Sequence, residues 1–147
     1  MKIRKISIAG DHAGFELKER IMVFLEKKGY AVRDFGTFSP ESVDYPDFAH
    51  ILAASVEKGE SDIGITLCGS GNGISMAANK HEGIRSAICW SDEIARVARA
   101  HNDANICALP ARFLDFEQVV DIIDTFLQTE FDGGRHERRI KKIPIQK

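Results

Sequence analysis

The sequence predicts an α/β fold of the Rossmann-like, doubly wound kind, a three-layer α/β/α sandwich built around a five-stranded parallel sheet. Short and almost continuous apolar segments alternate along the chain with longer segments of helical periodicity. This alternation is typical of a parallel sheet that is covered by helices on both faces. The 147 residues predict one domain over 1–147, because no repeat, low-complexity tract or linker divides them.

The first β–α–β unit is the clearest. The apolar segment 3–9 predicts a strand, and 14–28 follows it with apolar residues at helical spacing. Gly29 stands where a glycine commonly ends a helix. A second short strand is predicted at 30–35, and the polar segment 36–44 is predicted to be a turn region.

The second unit runs from the second helix to the fourth strand. Pro46 suits the first turn of a helix, which is predicted to run to about residue 58. The apolar segment 62–67 predicts the third strand, because it has the length and residue types of a strand buried on both faces. A third helix is predicted at 71–80, and a fourth strand at 84–89.

The last third of the chain repeats the pattern. Ser91 is predicted to cap a helix that runs to about residue 100, and the acidic residues after it favour a first helical turn. A fifth strand is predicted at 105–109, and a fifth helix at 115–127. The basic segment 135–142 is predicted to form a last short helix.

Composition excludes several classes of protein. Apolar residues make up 44% and charged residues 29%, as in ordinary globular proteins, and the net charge of −2 gives no reason to expect a nucleic acid or an anionic membrane as partner. The three cysteines (Cys68, Cys89 and Cys107) show no CxxC spacing, which argues against a disulfide framework or a structural zinc site. No signal-peptide pattern or apolar segment of about 20 residues occurs. We therefore expect a cytoplasmic protein without a membrane span.

The strongest candidate site follows the third strand. Cys68 ends that strand, and Gly69, Ser70, Gly71 and Gly73 form a loop in front of the next helix. Backbone N–H groups of a glycine-rich loop at a helix start can bind an anion, and a cysteine there favours the thiolate. The loop therefore suggests an enzyme that acts on a small anionic substrate. The alternative, that Cys68 is only a small buried apolar residue, stays open at this point.

Spacing excludes the familiar loops of this kind. A cysteine phosphatase would need arginine where Ile74 stands, and a nucleotide-binding P-loop would need a Gly-Lys-Ser/Thr ending. A serine nucleophile elbow around Ser70 would need glycine where Cys68 and Asn72 stand. Residues 10–14, at the first β–α turn, lack the dinucleotide-binding pattern.

Three other polar segments are candidates, and each has a structural alternative. Asp11 and His12 end the first strand, where ligands bind in such sheets, but an aspartate helix cap and a solvated histidine fit as well. Segment 101–103 is either part of a site or a polar helix end stopped by its asparagine. Arg135 and Arg139 lie one helical turn apart and fit a phosphate, or they form a solvated basic end.

Taken together, these segments resemble the ribose-5-phosphate isomerase B family, which also includes isomerases of galactose 6-phosphate and allose 6-phosphate. The resemblance covers nearly the whole chain. It rests on seven motifs in order: GDHAGF at 10–15, DYP at 44–46, CGSGNGI at 68–74, AANK at 77–80, GIR at 83–85, HNDAN at 101–105 and GGRH at 133–136. It implies an aldose–ketose isomerase that converts ribose 5-phosphate and ribulose 5-phosphate through an enediolate, without metal or organic cofactor.

The resemblance also implies roles for individual residues. Cys68 matches the base of the family's cysteine branch, because the other branch uses a glutamate where this chain has Ile74. Ser70 and the N–H groups of residues 69–73 would stabilise the enediolate. His101 matches the histidine that opens the sugar ring, and Asp11 would assist at the sugar hydroxyls. The implied substrate-binding residues are His12, Tyr45, Gly69, Gly71, Asn72, Gly73, Asn102, Arg112, Arg135 and Arg139.

The same resemblance implies a homodimer or homotetramer with shared active sites, in which the basic segment 132–147 packs at a subunit interface. Two departures stand out: a Leu-Pro-Ala sequence at 109–111, where relatives often have a glycine-rich turn, and Trp90 after the fourth strand. Other functions remain to be weighed. They are an isomerase of six-carbon sugar phosphates, a phospho-sugar binding protein without catalysis, and a protein regulated by oxidation of Cys68.

Overall fold

A computed structural model describes residues 2–146 and contains one sheet of five parallel strands in the order β2-β1-β3-β5-β4. The strands are β1 (Lys5–Gly10), β2 (Ala31–Asp34), β3 (Ile63–Cys68), β4 (Ser86–Ile88) and β5 (Ile106–Pro110). Every residue of β3 is buried, and β3 lies between β1 and β5 at the centre of the sheet. The residues that end β3 are therefore held by paired strands on both sides.

Helices cover both faces of the sheet. They are α1 (Phe15–Lys27), α2 (Tyr45–Glu57), α3 (Asn72–Ala78), α4 (Asp92–Asn102), α5 (Phe116–Gln128) and α6 (Arg135–Ile140), with a short 3₁₀ turn at His12–Gly14 before α1. Helices α1, α4 and α5 pack on one face, α2 and α3 pack on the other, and α6 contacts α4. The fold is thus a doubly wound three-layer sandwich, as the sequence predicts.

The strand order explains how the layers arise. The connection from β1 to β2 goes to one side of β1, whereas the connection from β2 to β3 returns to its other side. Right-handed crossovers in opposite directions place their helices on opposite faces. The larger core lies between the sheet and α1, α4 and α5. The smaller one, under α2 and α3, includes Leu52, Ala53 and Val56 of α2.

The predicted elements all exist, and their ends differ from the predicted ones by at most two residues. Gly29 has a φ of 95° just after α1, Pro46 lies in the first turn of α2, and the hydroxyl of Ser91 caps α4 by accepting from the Ile94 N–H at 3.2 Å. One detail differs from the structural interpretation of segment 101–103. The left-handed residue that stops α4 is Asp103, with a φ of 46°, whereas the preceding asparagine is still helical.

The sheet has two edges that matter for function. The carboxyl edge is where the strands end, and the helices that follow β1, β3, β4 and β5 begin there. The amino edge is where the strands start and where α4 and α5 end. Strand β3 has six residues, so the two edges are about 20 Å apart. Across residues 2–146, none of the helices is both long and apolar enough to cross a bilayer.

Candidate active site

Two segments meet at the carboxyl edge, where the chain leaves β1 in one direction and β3 in the other. Such a switch point opens a crevice beyond the strand ends, which is the usual ligand site of open α/β sheets. Asp11 follows β1 and Cys68 ends the adjacent strand β3. The N–H of Asp11 donates to the carbonyl of Leu67 at 3.1 Å, so the two segments are joined by a backbone hydrogen bond. The sequence prediction that both belong to one site is consistent with this placement.

The loop after Cys68 presents its backbone to the crevice. Gly71 has a left-handed φ of 77°, which reverses the chain before α3 begins. The hydroxyl of Ser70 accepts from the N–H of Asn72 at 3.2 Å, and the carbonyls of Cys68 and Gly69 accept from the segment that follows β5. In residues 2–146, the N–H groups of Gly69, Ser70 and Gly71 have no hydrogen-bond partner. They are available to a negatively charged oxygen of a ligand.

Cys68 itself is nearly buried, with 5% of its surface exposed, and it packs with Ala49, Ile74 and Ala77. Its immediate surroundings are therefore apolar on the side of α2 and α3, while the glycine loop lies on the other side. This arrangement fixes the position of the thiol, because the packing side chains leave it little freedom. A fixed thiol at the floor of a crevice suits proton transfer to a bound small molecule.

Asp11 and His12 are held by the chain around them. The carboxylate of Asp11 accepts from the N–H of Ala13 at 3.0 Å, so it caps the 3₁₀ turn, and it is 7% exposed. The Nδ1 atom of His12 lies 3.2 Å from the N–H of Val43. An Nδ1 that accepts a hydrogen bond leaves the proton on Nε2, which is then a donor. The structural alternative for Asp11, a helix cap, is correct, and it does not compete with a role in the site.

Tyr45 and Arg112 form the walls of the crevice. A Cβ atom added to Gly73 would lie 2.5 Å from the Tyr45 ring, so only glycine lets this ring approach α3 so closely. The guanidinium of Arg112 lies over Gly69, since a Cβ atom there would be 3.1 Å from Nη1. The cleft has a volume of about 490 Å³, which is in the range of small-molecule sites. It is lined by Asp11, Tyr45, Cys68, Gly69, Ser70, Gly73, Arg112 and Phe113.

The remaining predicted residues form a second group at the amino edge. His101 and Asn102 are the last residues of α4, and Arg135 and Arg139 belong to α6, which packs on α4. A separate cleft is lined by His101, Asn102, His136, Arg139, Ile140 and Ile143. The N–H of Asp132 donates to the carbonyl of Ala100 at 2.9 Å and ties the start of this segment to the end of α4.

The two groups do not meet within one chain. Helix α4 starts near the carboxyl edge at Asp92, so His101, nine residues later, lies about 14 Å farther along its axis, toward the amino edge. The two clefts have no lining residue in common. The structure therefore assembles Asp11, Tyr45, Cys68 and Arg112 in one place, and it places His101 and the basic segment in another.

Sequence reasoning missed two contributors. Phe113 lines the first cleft and is 74% exposed, although an aromatic residue in a loop gave no signal of its own. His136 stacks on His101 with ring centroids 4.4 Å apart and an interplanar angle of 7°. From its sequence spacing, which shows no metal-ligand pattern, His136 is interpreted as a surface or packing residue, because the two histidines are far apart in the chain and only folding brings them together.

One residue of the second cleft, His136, has an altered pKa. Partial burial lowers the pKa of His136, and the neighbouring His101 adds to this effect. Among the described residues 2–146, His101, Asp132 and His136 are the one group of three side chains whose potential metal-ligating atoms lie within 4.8 Å of one another. The first cleft offers a thiol, a hydroxyl, a carboxylate and a guanidinium, which together suit an anionic polyol.

Comparison with known proteins agrees with this chemistry. The sequence model of the family described as Ribose/Galactose Isomerase matches residues 6–143. The ribose-5-phosphate isomerase B of Escherichia coli K12 is 43% identical over 96% of this chain and 95% of its own length. A ribose 5-phosphate isomerase from Thermotoga maritima has 55% identity and a TM-score of 0.95, with 96% of this chain and 97% of that chain covered.

A structure of ribose-5-phosphate isomerase B from Mycoplasma genitalium, described with bound ribulose 5-phosphate, is similar at a TM-score of 0.93. Its identity to this chain is 42%, and 97% of this chain and 95% of that chain are covered. Both relatives of known structure therefore share the fold over nearly the whole chain.

Proposed function

This chain belongs to the ribose/galactose isomerase family, and we propose that it is an aldose–ketose isomerase that interconverts ribose 5-phosphate and ribulose 5-phosphate. The names of relatives over nearly the full chain support the reaction. The observation that carries the proposal is the position of Cys68, a fixed thiol at the switch point beside unpaired loop N–H groups. Such an isomerase serves the pentose phosphate pathway in the cytoplasm and needs no cofactor.

The chemistry assigned to the first cleft is a proton transfer between neighbouring carbons. The thiolate of Cys68 removes the proton from C2 of the open-chain aldose, and negative charge develops on the O1 oxygen. The N–H groups of the loop and the Ser70 hydroxyl stabilise this charge where it forms. Return of the proton to C1, with transfer of a proton from O2 to O1, leaves the carbonyl at C2. One thiol serves as base and then as acid, so the atoms balance without a further reactant.

The other residues of the cleft bind and orient the sugar. Asp11 accepts hydrogen bonds from sugar hydroxyls, with Tyr45 and the loop residues Gly69, Gly71, Asn72 and Gly73 closing around the substrate. His12 donates through Nε2, whose proton is fixed by the Val43 N–H on the other nitrogen. Arg112 supplies a planar, permanently charged donor for the phosphate.

We assign the second group of residues to the active site of a neighbouring copy. His101 opens the sugar ring, Asn102 contacts the enediolate, and Arg135 and Arg139 bind the phosphate. This assignment is supported by the separation of the two groups within one chain. It requires a homodimer, or a pair of dimers, in which the segment 132–147 of one domain reaches the carboxyl edge of another. Of that segment, residues 132–146 are described, and α6 lies at its start.

A six-carbon sugar phosphate is the nearest alternative substrate, since the family description also names galactose. The open mouth of the first cleft, with the exposed Phe113 at its rim, leaves room for one more carbon. A side-by-side comparison of kcat/KM for ribose 5-phosphate, allose 6-phosphate and galactose 6-phosphate decides between them. A binding protein without catalysis would be stabilised by all of these compounds in a thermal melt and would convert none.

The direct test of the reaction is ribulose 5-phosphate formation by the wild-type protein and by Cys68→Ala. Losing a general base lowers the rate by about 10²–10⁴. Because the thiol is nearly buried, the variant is also melted with and without ribose 5-phosphate, and stabilisation by the ligand shows that the cleft remains intact. Near wild-type activity in a folded Cys68→Ala protein contradicts the assignment of the base.

A further inference from the structure

The cluster of His101, Asp132 and His136 has unused bonding capacity. Within residues 2–146, none of these three side chains makes a hydrogen bond to another protein group. The other histidines differ in this respect. His50 and His81 bond each other at 2.9 Å, and the second nitrogen of His81 bonds Glu57 at 3.0 Å.

The geometry of the cluster is near that of a three-residue metal site. One potential ligand atom from each side chain lies within 4.8 Å of the other two. Tetrahedral zinc at the usual bond lengths of about 2.0–2.2 Å brings its ligand atoms to about 3.3 Å from one another. The rings of His101 and His136 are parallel, so both must turn about χ2 before their lone pairs converge. His101 lies at the end of α4, and His136 lies at the start of α6.

The charges around the cluster also bear on what it binds. Arg135 and Arg139 face His136 and oppose a cation, whereas the carboxylate of Asp132 favours one. Only a neutral imidazole ligates a metal, so zinc must displace any proton that His101 or His136 carries when it binds. A site of two imidazoles and one carboxylate binds zinc in preference to magnesium or calcium, which prefer oxygen ligands.

We propose that His101, Asp132 and His136 bind a zinc-class divalent cation, and that this cation inhibits the enzyme by occupying the imidazole of His101. The inhibitory part rests on the proposed function, in which His101 opens the sugar ring. The binding part stands on the cluster alone. The fourth position of the metal stays open to water, because the chain supplies three ligands.

Zinc binding is measured by calorimetry in the Cys68→Ala background, which removes the most exposed competing thiol and the isomerase activity together. We expect one zinc per chain, no comparable binding of Mg²⁺, and visible d–d absorption when Co²⁺ replaces zinc. His136→Gln and Asp132→Asn each remove one ligand and should weaken binding at least ~10-fold, since even outer-shell changes cost 10–100-fold. The matched control is His50→Gln, which changes the other histidine pair and should bind zinc as before.

Thermal melts verify that each variant is folded, and Asp132→Asn keeps the shape of the side chain. If His136→Gln and Asp132→Asn bind zinc as tightly as the Cys68→Ala parent, the proposal is overturned. Loss of binding in His50→Gln, or the absence of saturable binding in the parent, overturns it as well. Isomerase activity is then followed in the wild-type protein with and without zinc. Bound zinc with full activity overturns the inhibitory role. Failure of the metal-free wild type to isomerise ribose 5-phosphate contradicts the proposed function instead, while the titrations remain interpretable.

Discussion

The two edges of the sheet differ in how their polar residues are held. At the carboxyl edge, Asp11 and Cys68 are almost fully buried, and backbone hydrogen bonds join their segments. At the amino edge, His101, Arg135 and Arg139 lie on helix ends and make no side-chain hydrogen bonds within residues 2–146. The first group is built around a buried thiol by the folding of one chain, whereas the second lies in a separate cleft that contains no thiol. Under the proposed function, the second group works only when another chain is present.

This comparison predicts that substitutions at the amino edge separate activity from stability. His101→Ala should lower the rate of ribose 5-phosphate isomerisation by about 10²–10⁴, as expected for loss of an acid–base group. Its free energy of unfolding should change little, because the side chain has no hydrogen-bond partner within the described residues and its main contact is the stacked His136. The measurements are steady-state kinetics and urea unfolding. An inactive variant that is also strongly destabilised would contradict the comparison.

At the carboxyl edge, activity and stability should fall together. Asp11→Ala removes the cap of the 3₁₀ turn, which should cost about 0.5–2 kcal/mol in unfolding free energy, and it also removes the partner of the sugar hydroxyls. Ser91→Ala is the matched control, because it removes the cap of α4 at a similar cost but lies outside the cleft. We expect only Asp11→Ala to lower kcat/KM. Equal activity of the two variants would remove Asp11 from the proposed site.

Substitution in a third region is expected to have the smallest effect, a change in stability without a change in activity. Glu57 accepts hydrogen bonds from the Gly83 N–H at 2.8 Å and from His81, outside both clefts. The Gly83 hydrogen bond is the main reason why the pKa of Glu57 lies below its ordinary value of 4.5. A lowered pKa in the folded state stabilises the protein above the unfolded-state pKa, and this stabilisation is lost as the pH falls through the folded-state pKa.

Glu57→Gln should therefore reduce the unfolding free energy by about 1 kcal/mol near neutral pH. The difference from wild type should shrink as the pH falls below 4.5, where the wild-type carboxyl takes up its proton. Denaturant unfolding at several pH values measures it, and kcat should be unchanged at neutral pH. A difference that grows toward acid pH would mean that Glu57 is not stabilised as a carboxylate.

The fold was predictable because its signal is local. Each strand is an apolar segment with a clear boundary, and caps such as Ser91 mark helix starts in the sequence. The strand order was not predictable, because the placement of β5 between β3 and β4 depends on packing that no local pattern records. The same limit applies to the site. Cys68 and its loop are contiguous in sequence, whereas the stacking of His136 on His101 exists only after α6 has packed on α4.

The central claim, that two chains build each active site, is tested by mixing two inactive variants. Cys68→Ala and His101→Ala are combined in equal amounts, unfolded and refolded together so that the chains exchange. Half of the resulting dimers are mixed, and in each of these one of the two sites has both residues, so about a quarter of wild-type activity should return. Each variant refolded alone should stay inactive. A mixture that is no more active than the separate variants would contradict the account.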